Sequence, residues 1–223
     1  MQAFKGNNFT NLFLQSNGWK NLSYLCMFLI LDTQNHRINK TERMIAIITG
    51  TNRRKSEALT FARIYQDEIE KQTGEKPLIV NLEHIPGNLW HPDMYDSDKQ
   101  APEIIQIQDE VMIPAEKLVF VVPEYNGGFP GALKLFLDAL SVREYKKTFK
   151  GKKALLVGIA SGRAGNLRGL EHLTGILNHV GTIVLPNKLP ISSIEKLLDG
   201  RGQLKDEPTK QVITKHVEEF LAF

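Results

Sequence analysis

A chain of 223 residues, 42% hydrophobic and 24% charged, is long enough for one full-sized domain or two small ones. Its composition excludes the disordered, collagen-like and disulfide-rich classes. Of the 28 Lys and Arg residues five fall in residues 1–43, against two of the 25 Asp and Glu, so the net charge of +3 sits entirely in that segment and the rest of the chain balances to zero. That balance argues against a nucleic-acid binder, which needs a basic footprint on its folded domain.

Residues 1–43 are rich in Asn and lack helical or strand periodicity. Their one apolar run, residues 25–31, is far shorter than the roughly 20 residues of a membrane span. No small-residue cleavage site follows it, since the next residues are Asp32, Thr33, Gln34 and Asn35. The expectation is a poorly structured N-terminal extension over 1–43 and a single domain over 44–223. The lone cysteine, Cys26, permits no internal disulfide, which fits a reducing cytoplasm.

From Met44 onward the pattern alternates. Residues 44–49 are an apolar run ending at Gly50 and predict a buried strand. A helix is expected over 56–72, with Leu59, Ala62, Tyr65 and Ile69 on one face. The second strand is expected over 77–82, followed by a long loop through Pro86, Gly87, Pro92 and Asp93. A helix over 102–115 and a third strand over 117–122 come next. Pro130 and Gly131 open another helix, with Leu133, Leu137 and Leu140 inward. The fourth strand is expected over 153–159, a helix over 166–180, the fifth strand over 182–185 and a last helix over 208–221. Five apolar strands alternating with helices predict a doubly wound α/β domain with a parallel sheet covered on both faces. The flavodoxin-like order 2-1-3-4-5 suits five strands and puts the ligand beyond their carboxyl ends, at the switch between the first and third.

The loop after the first strand reads Gly50-Thr51-Asn52-Arg53-Arg54-Lys55-Ser56. Hydroxyls and an arginine at a helix N-terminus, where N–H groups are unpaired, make a phosphate site. A plain helix capped by Ser56 beside solvated basic residues fits the same letters. The loop lacks G-x-G-x-x-G and G-x-x-x-x-G-K-[ST], which speaks against a Rossmann dinucleotide grip and a nucleoside triphosphate. No acidic pair ends the strand and no cysteine precedes Arg53, which disfavours a metal-binding receiver and a cysteine-dependent phosphatase.

The loop after the third strand reads Pro123-Glu124-Tyr125-Asn126-Gly127-Gly128-Phe129-Pro130-Gly131-Ala132-Leu133-Lys134. It resembles the P-E-Y-N-[GS] and P-G-x-L-K segments of the NADPH-dependent FMN reductase family, and the resemblance extends from Met44 to about Pro186. The loop after the fourth strand, Ser161-Gly162-Arg163-Ala164-Gly165-Asn166-Leu167-Arg168, is similar to the family's G-R-A-G-G-L-R. It departs at Asn166, where many relatives have glycine, and Thr51 stands where relatives often have Ser.

The resemblance implies FMN as cofactor, NADPH or NADH as co-substrate and a small-molecule electron acceptor such as a quinone, an azo compound or free flavin. It implies phosphate binding by Thr51, Arg53 and Ser56, and ring binding by Pro123, Glu124, Tyr125, Asn126 and Gly127. Ser161, Gly162 and Arg163 would lie at the flavin edge and nicotinamide side. It implies hydride transfer at the flavin N5 without a protein catalytic residue, and a homodimer or homotetramer. A flavodoxin-type electron carrier and a flavin-free binding module on the same fold are the alternatives. The cations Arg53, Arg54 and Lys55 and the neutral domain favour the enzyme over the carrier, whose surface is usually acidic. His172 and His179 share a helix, but no carboxylate or cysteine completes a metal set.

Overall fold

The computed structural model describes residues 44–223, so the extension expected over 1–43 lies outside the described residues. The sheet contains β1 (Ile45–Thr49), β2 (Leu78–Asn81), β3 (Lys117–Pro123), β4 (Lys153–Ile159), β5 (Ile183–Val184) and β6 (Leu189–Ile191). All pairings are parallel and the order is β2-β1-β3-β4-β5, the flavodoxin-like arrangement.

Alternation along each strand divides the core. Ala46, Ile48, Leu118, Phe120, Val122, Ala154 and Leu156 face one side, under α2 (Pro102–Ile107), α3 (Gly131–Val142) and α5 (Leu167–His179). Ile45, Ile47, Val119, Val121, Leu155, Val157 and Ile159 face the other, under α1 (Glu57–Thr73) and α7 (Glu207–Ala222). Burial on both faces is why the strands read as unbroken apolar runs rather than as alternating ones.

The edge beyond β4 differs from expectation. The fifth strand is only Ile183–Val184, and a sixth, unexpected strand, Leu189–Ile191, also pairs with β4. Ala154 faces Val184 whereas Val157 faces Leu189, so the edge chain takes five steps while β4 takes three. Pro186, which cannot donate to a ladder, sits in the break, and Pro190 is tolerated because the strand is an edge. Two further short helices escaped the periodicity, α4 (Tyr145–Phe149) and α6 (Ile194–Leu197).

The helix expected over 102–115 changes character partway. α2 continues into a π-turn over Gln108–Met112, closed by a 2.8 Å bond from Ile113 N to Gln108 O. The buried Gln108 carboxamide there donates towards Leu140 O, Arg143 O and Thr148 Oγ1, tying the turn to the α3–α4 junction.

Candidate functional site

Because β1, β3 and β4 are adjacent in register, the loops leaving their carboxyl ends lie side by side. Gly50 starts the first. Its N–H donates to Val121 O at 2.7 Å, and a Cβ on it would meet Val122 Cα at 3.1 Å, so the chain can leave the sheet this close to β3 only with a minimal side chain. Thr51 is buried beneath the loop, where its Oγ1 accepts from Arg53 N. Lys55 takes φ 54°, and the extended Ser56 then caps α1 by accepting from Ala58 N at 3.2 Å. Arg53, Arg54 and Lys55 are exposed, and none of the three pairs with a carboxylate among the described residues.

The second loop is a tight hairpin. Tyr125 and Gly128 exchange two backbone bonds of 2.8 and 3.0 Å around Asn126 (φ 52°) and Gly127 (φ 75°). Asn-Gly is the dipeptide suited to a turn with both central residues at positive φ. The Tyr125 hydroxyl shares a 3.0 Å hydrogen bond with Thr51 Oγ1, joining the first loop to the second. Tyr125 and Asn126 are exposed, whereas Pro123, Glu124 and Gly127 are half-buried. The Phe129 ring packs on His172 of α5 at 5.1 Å, which gives that histidine a packing role. No group of three or more His, Cys, Asp or Glu among the described residues could hold a metal.

The third loop lies open at Ser161, Gly162 and Arg163, all exposed, before turning inward at Gly165 and Asn166. A Cβ on Gly158 would fall 2.1 Å from Gly165 O, and one on Gly165 would fall 2.7 Å from Pro190 C. The loop is therefore wedged between β4 and β6. A glycine inside an apolar strand marks such an approach, so Gly158 was the signal that this crowding left in the sequence.

Asn166, a mere departure in a turn as far as the sequence goes, ties the second and third loops together. It is 1% exposed, holds φ 64° and stands at the N-cap of α5 without a side-chain capping bond. Its carboxamide donates to Val122 O and Pro123 O, each at 3.0 Å, and its own N–H donates to Glu124 Oε2 at 3.1 Å. The structure thus joins Thr51 to Tyr125 and Glu124 to the third loop. Arg53, Ser161 and Arg163 stay at the rim without a side-chain partner among the described residues.

A cationic helix start, an aromatic hairpin beside it and an open third loop suit a planar ligand that carries a phosphate. The comparisons with known proteins agree. The model of the NADPH-dependent FMN reductase family matches residues 43–196, and the chain belongs to that family. Over 131 residues it is 30% identical to a 2-hydroxy-1,4-benzoquinone reductase of a Burkholderia species, covering 58% of this chain and 70% of that one. Over 129 residues it is 30% identical to an NAD(P)H-dependent FMN reductase of Pseudomonas aeruginosa, covering 56% and 69%. Among solved structures, the fold matches a flavoenzyme NAD(P)H:(acceptor) oxidoreductase from Paracoccus denitrificans with a TM-score of 0.67 at 21% identity, covering 81% of this chain and 96% of that one. The protein is an oxidoreductase flavoenzyme with FMN as cofactor and NAD(P)H as electron donor, which favours the enzyme over the electron-carrier alternative.

Proposed function

We propose that the three loops hold FMN in one orientation and that the protein reduces a quinone-like or azo acceptor at the expense of NAD(P)H. The observation that carries this reading is the Thr51–Tyr125 hydrogen bond, which couples the cationic helix start to the aromatic hairpin. Arg53, Ser56 and the first N–H groups of α1 receive the phosphate, and the buried Thr51 beneath them holds the loop in place for it. Pro123, Glu124, Tyr125, Asn126 and Gly127 supply the wall against the ring, and the backbone at Asn126 and Gly127 is free to approach a flat polar edge because neither bulky side chain nor strand pairing intervenes. Ser161, Gly162 and Arg163 border the opening where the nicotinamide nucleotide enters. When bound, the flavin would supply the redox chemistry between NAD(P)H and the acceptor. The chain's contribution is binding, orientation and exclusion of water.

The working unit in this proposal is a homodimer or a tetramer built from it, in the cytoplasm. Trp90 is 82% exposed and Tyr95 67% exposed on the loop between β2 and α2, whose Leu89 is anchored in the core. A groove of about 460 Å³ at Tyr95 is lined by that residue and by Leu137, Tyr145, His172 and Ile176 of α3, α5 and neighbouring segments. No helix among the described residues is long and apolar enough to cross a membrane.

The test is a visible spectrum of the purified full chain, followed by separate anaerobic additions of NADPH and NADH. The expected result is an oxidised flavin band that bleaches with one or both and returns when a benzoquinone is added. A protein that takes up no FMN, or holds it without bleaching, would overturn the proposal.

A further inference from the structure

We propose that Asn166 is the positioning residue of the flavin site, fixing the separation between the loop that walls the ring and the loop at the nicotinamide side. The inference rests on the cofactor assignment above and deepens it. Three of its polar groups are spent on this one junction. Both carboxamide hydrogens go to the consecutive carbonyls of Val122 and Pro123, where β3 ends and the Tyr125 hairpin begins. Its backbone N–H goes to the Glu124 carboxylate in the same loop, and its carbonyl accepts the first helical bond of α5 from Leu170 N at 3.0 Å. The residue thus belongs to the third loop and to α5 by its backbone, and to the second loop by its side chain.

The surroundings preserve that arrangement. A Cβ on Gly169 would lie 2.1 Å from Asn166 Oδ1 and 2.8 Å from Phe129 N, so only glycine leaves room for the carboxamide. Asn166 Oδ1 is buried without a hydrogen-bond partner among the described residues. A buried amide oxygen gains nothing from such a place, so the carboxamide is held there by its two donor bonds. The backbone sits in the left-handed region, which asparagine and glycine tolerate best. Glycine would therefore keep the turn and the bond to Glu124 while removing the link to Val122 and Pro123.

Asn166→Gly isolates that link. In the full chain stripped of flavin, the variant is expected to stay folded by circular dichroism at 10 °C. There it should bind FMN and riboflavin about tenfold or more weakly than the unmodified protein, with equal losses for the two ligands, because the damage is on the ring side. The visible dichroism of bound flavin should change as well. Asn166→Asp, which cannot donate to the two carbonyls and brings a charge to Glu124, should be worse than glycine. Unchanged affinity and dichroism in Asn166→Gly would overturn the proposal, as would a loss confined to FMN. A residue with a merely structural role would lower the melting temperature of the flavin-free protein without moving the dichroism of bound flavin. If Asn166→Gly fails to fold, Asn166→Asp, which also lacks the two donor bonds, is read in the same way, and wild-type-like binding of both ligands by that variant overturns the idea. Failure of the unmodified protein to bind FMN would be seen first and would remove the cofactor assignment itself.

Discussion

In the proposed site, Arg53 separates phosphate recognition from ring recognition at a single side chain. It is exposed, carries no carboxylate partner among the described residues and follows the buried Thr51 by two positions. A charge-assisted hydrogen bond to phosphate is worth about 1.5–3 kcal/mol, so Arg53→Ala should weaken FMN by roughly tenfold to a hundredfold at 1.4 kcal/mol per decade. Riboflavin, which has no phosphate, should bind the variant nearly as well as it binds the unmodified protein, and fluorescence titration of both ligands reads the difference. Equal losses would move the phosphate away from this loop. Equal losses of the two ligands are expected at Asn166 instead, so the two residues together map the two ends of the ligand. Tyr125 and Arg163 stood out as candidates in the sequence because motif letters carry them, and Arg53 because a helix starts just after it. The partners did not. That Thr51 reaches Tyr125 and Asn166 reaches Val122 follows from the register of β1, β3 and β4, which no local pattern encodes.

Among the elements, the strands were the most legible, because a strand buried on both faces writes a dense apolar run. The broken edge was hidden, since β5 and β6 are two and three residues long and each relies on β4 for its pairing. The link between them is fixed by a buried chain of hydrogen bonds. Tyr65 of α1 meets His216 Nδ1 of α7 at 2.9 Å, and His216 Nε2 meets Asn187 O at 2.9 Å. A neutral imidazole satisfies both contacts, with Nε2–H donating to Asn187 O and Nδ1 accepting from the tyrosine hydroxyl. Burial lowers the His216 pKa from its ordinary value of 6.5, against the raising influence of the Asn187 carbonyl and nearby Glu219. The unfolded chain therefore binds this proton more readily than the folded one. The stability it contributes is whole above about pH 6.5 and falls as the pH drops towards the folded-state pKa. Melting temperature should decline between about pH 6.5 and 5, a window above most carboxylate titrations. His216→Gln should melt lower at pH 8 and show a flatter decline across that window. An unchanged slope would show that His216 is not the titrating group.

At the scale of the whole molecule, the two most exposed large hydrophobic side chains among the described residues, Trp90 and Tyr95, lie on one loop. Leu89 is buried beside Trp90, so the loop is anchored to its own domain while its large aromatic faces outward. In sequence terms an apolar loop reads the same whether it packs down or meets a partner. Packing down accounts for Leu89 and leaves Trp90 unexplained. The groove between α3 and α5 is bordered by Tyr95 and lies on the face that carries Phe129 and His172 behind the flavin-side hairpin. A two-fold contact across this face would bury Trp90 and brace the hairpin from behind, which explains why assembly and flavin affinity should change together. A buried tryptophan at an interface centre is commonly worth 2 kcal/mol or more, and Trp90→Glu also places a charge there on both copies of a symmetric pair. That variant should run as a monomer by light scattering at micromolar concentration and hold FMN more weakly than the unmodified protein. Its own fold should be unharmed, because a side chain this exposed in the single chain contributes little to the core. A variant that remains dimeric would place the interface elsewhere. An unmodified protein that is monomeric at that concentration, retains FMN and oxidises NADPH would remove the need for a partner altogether.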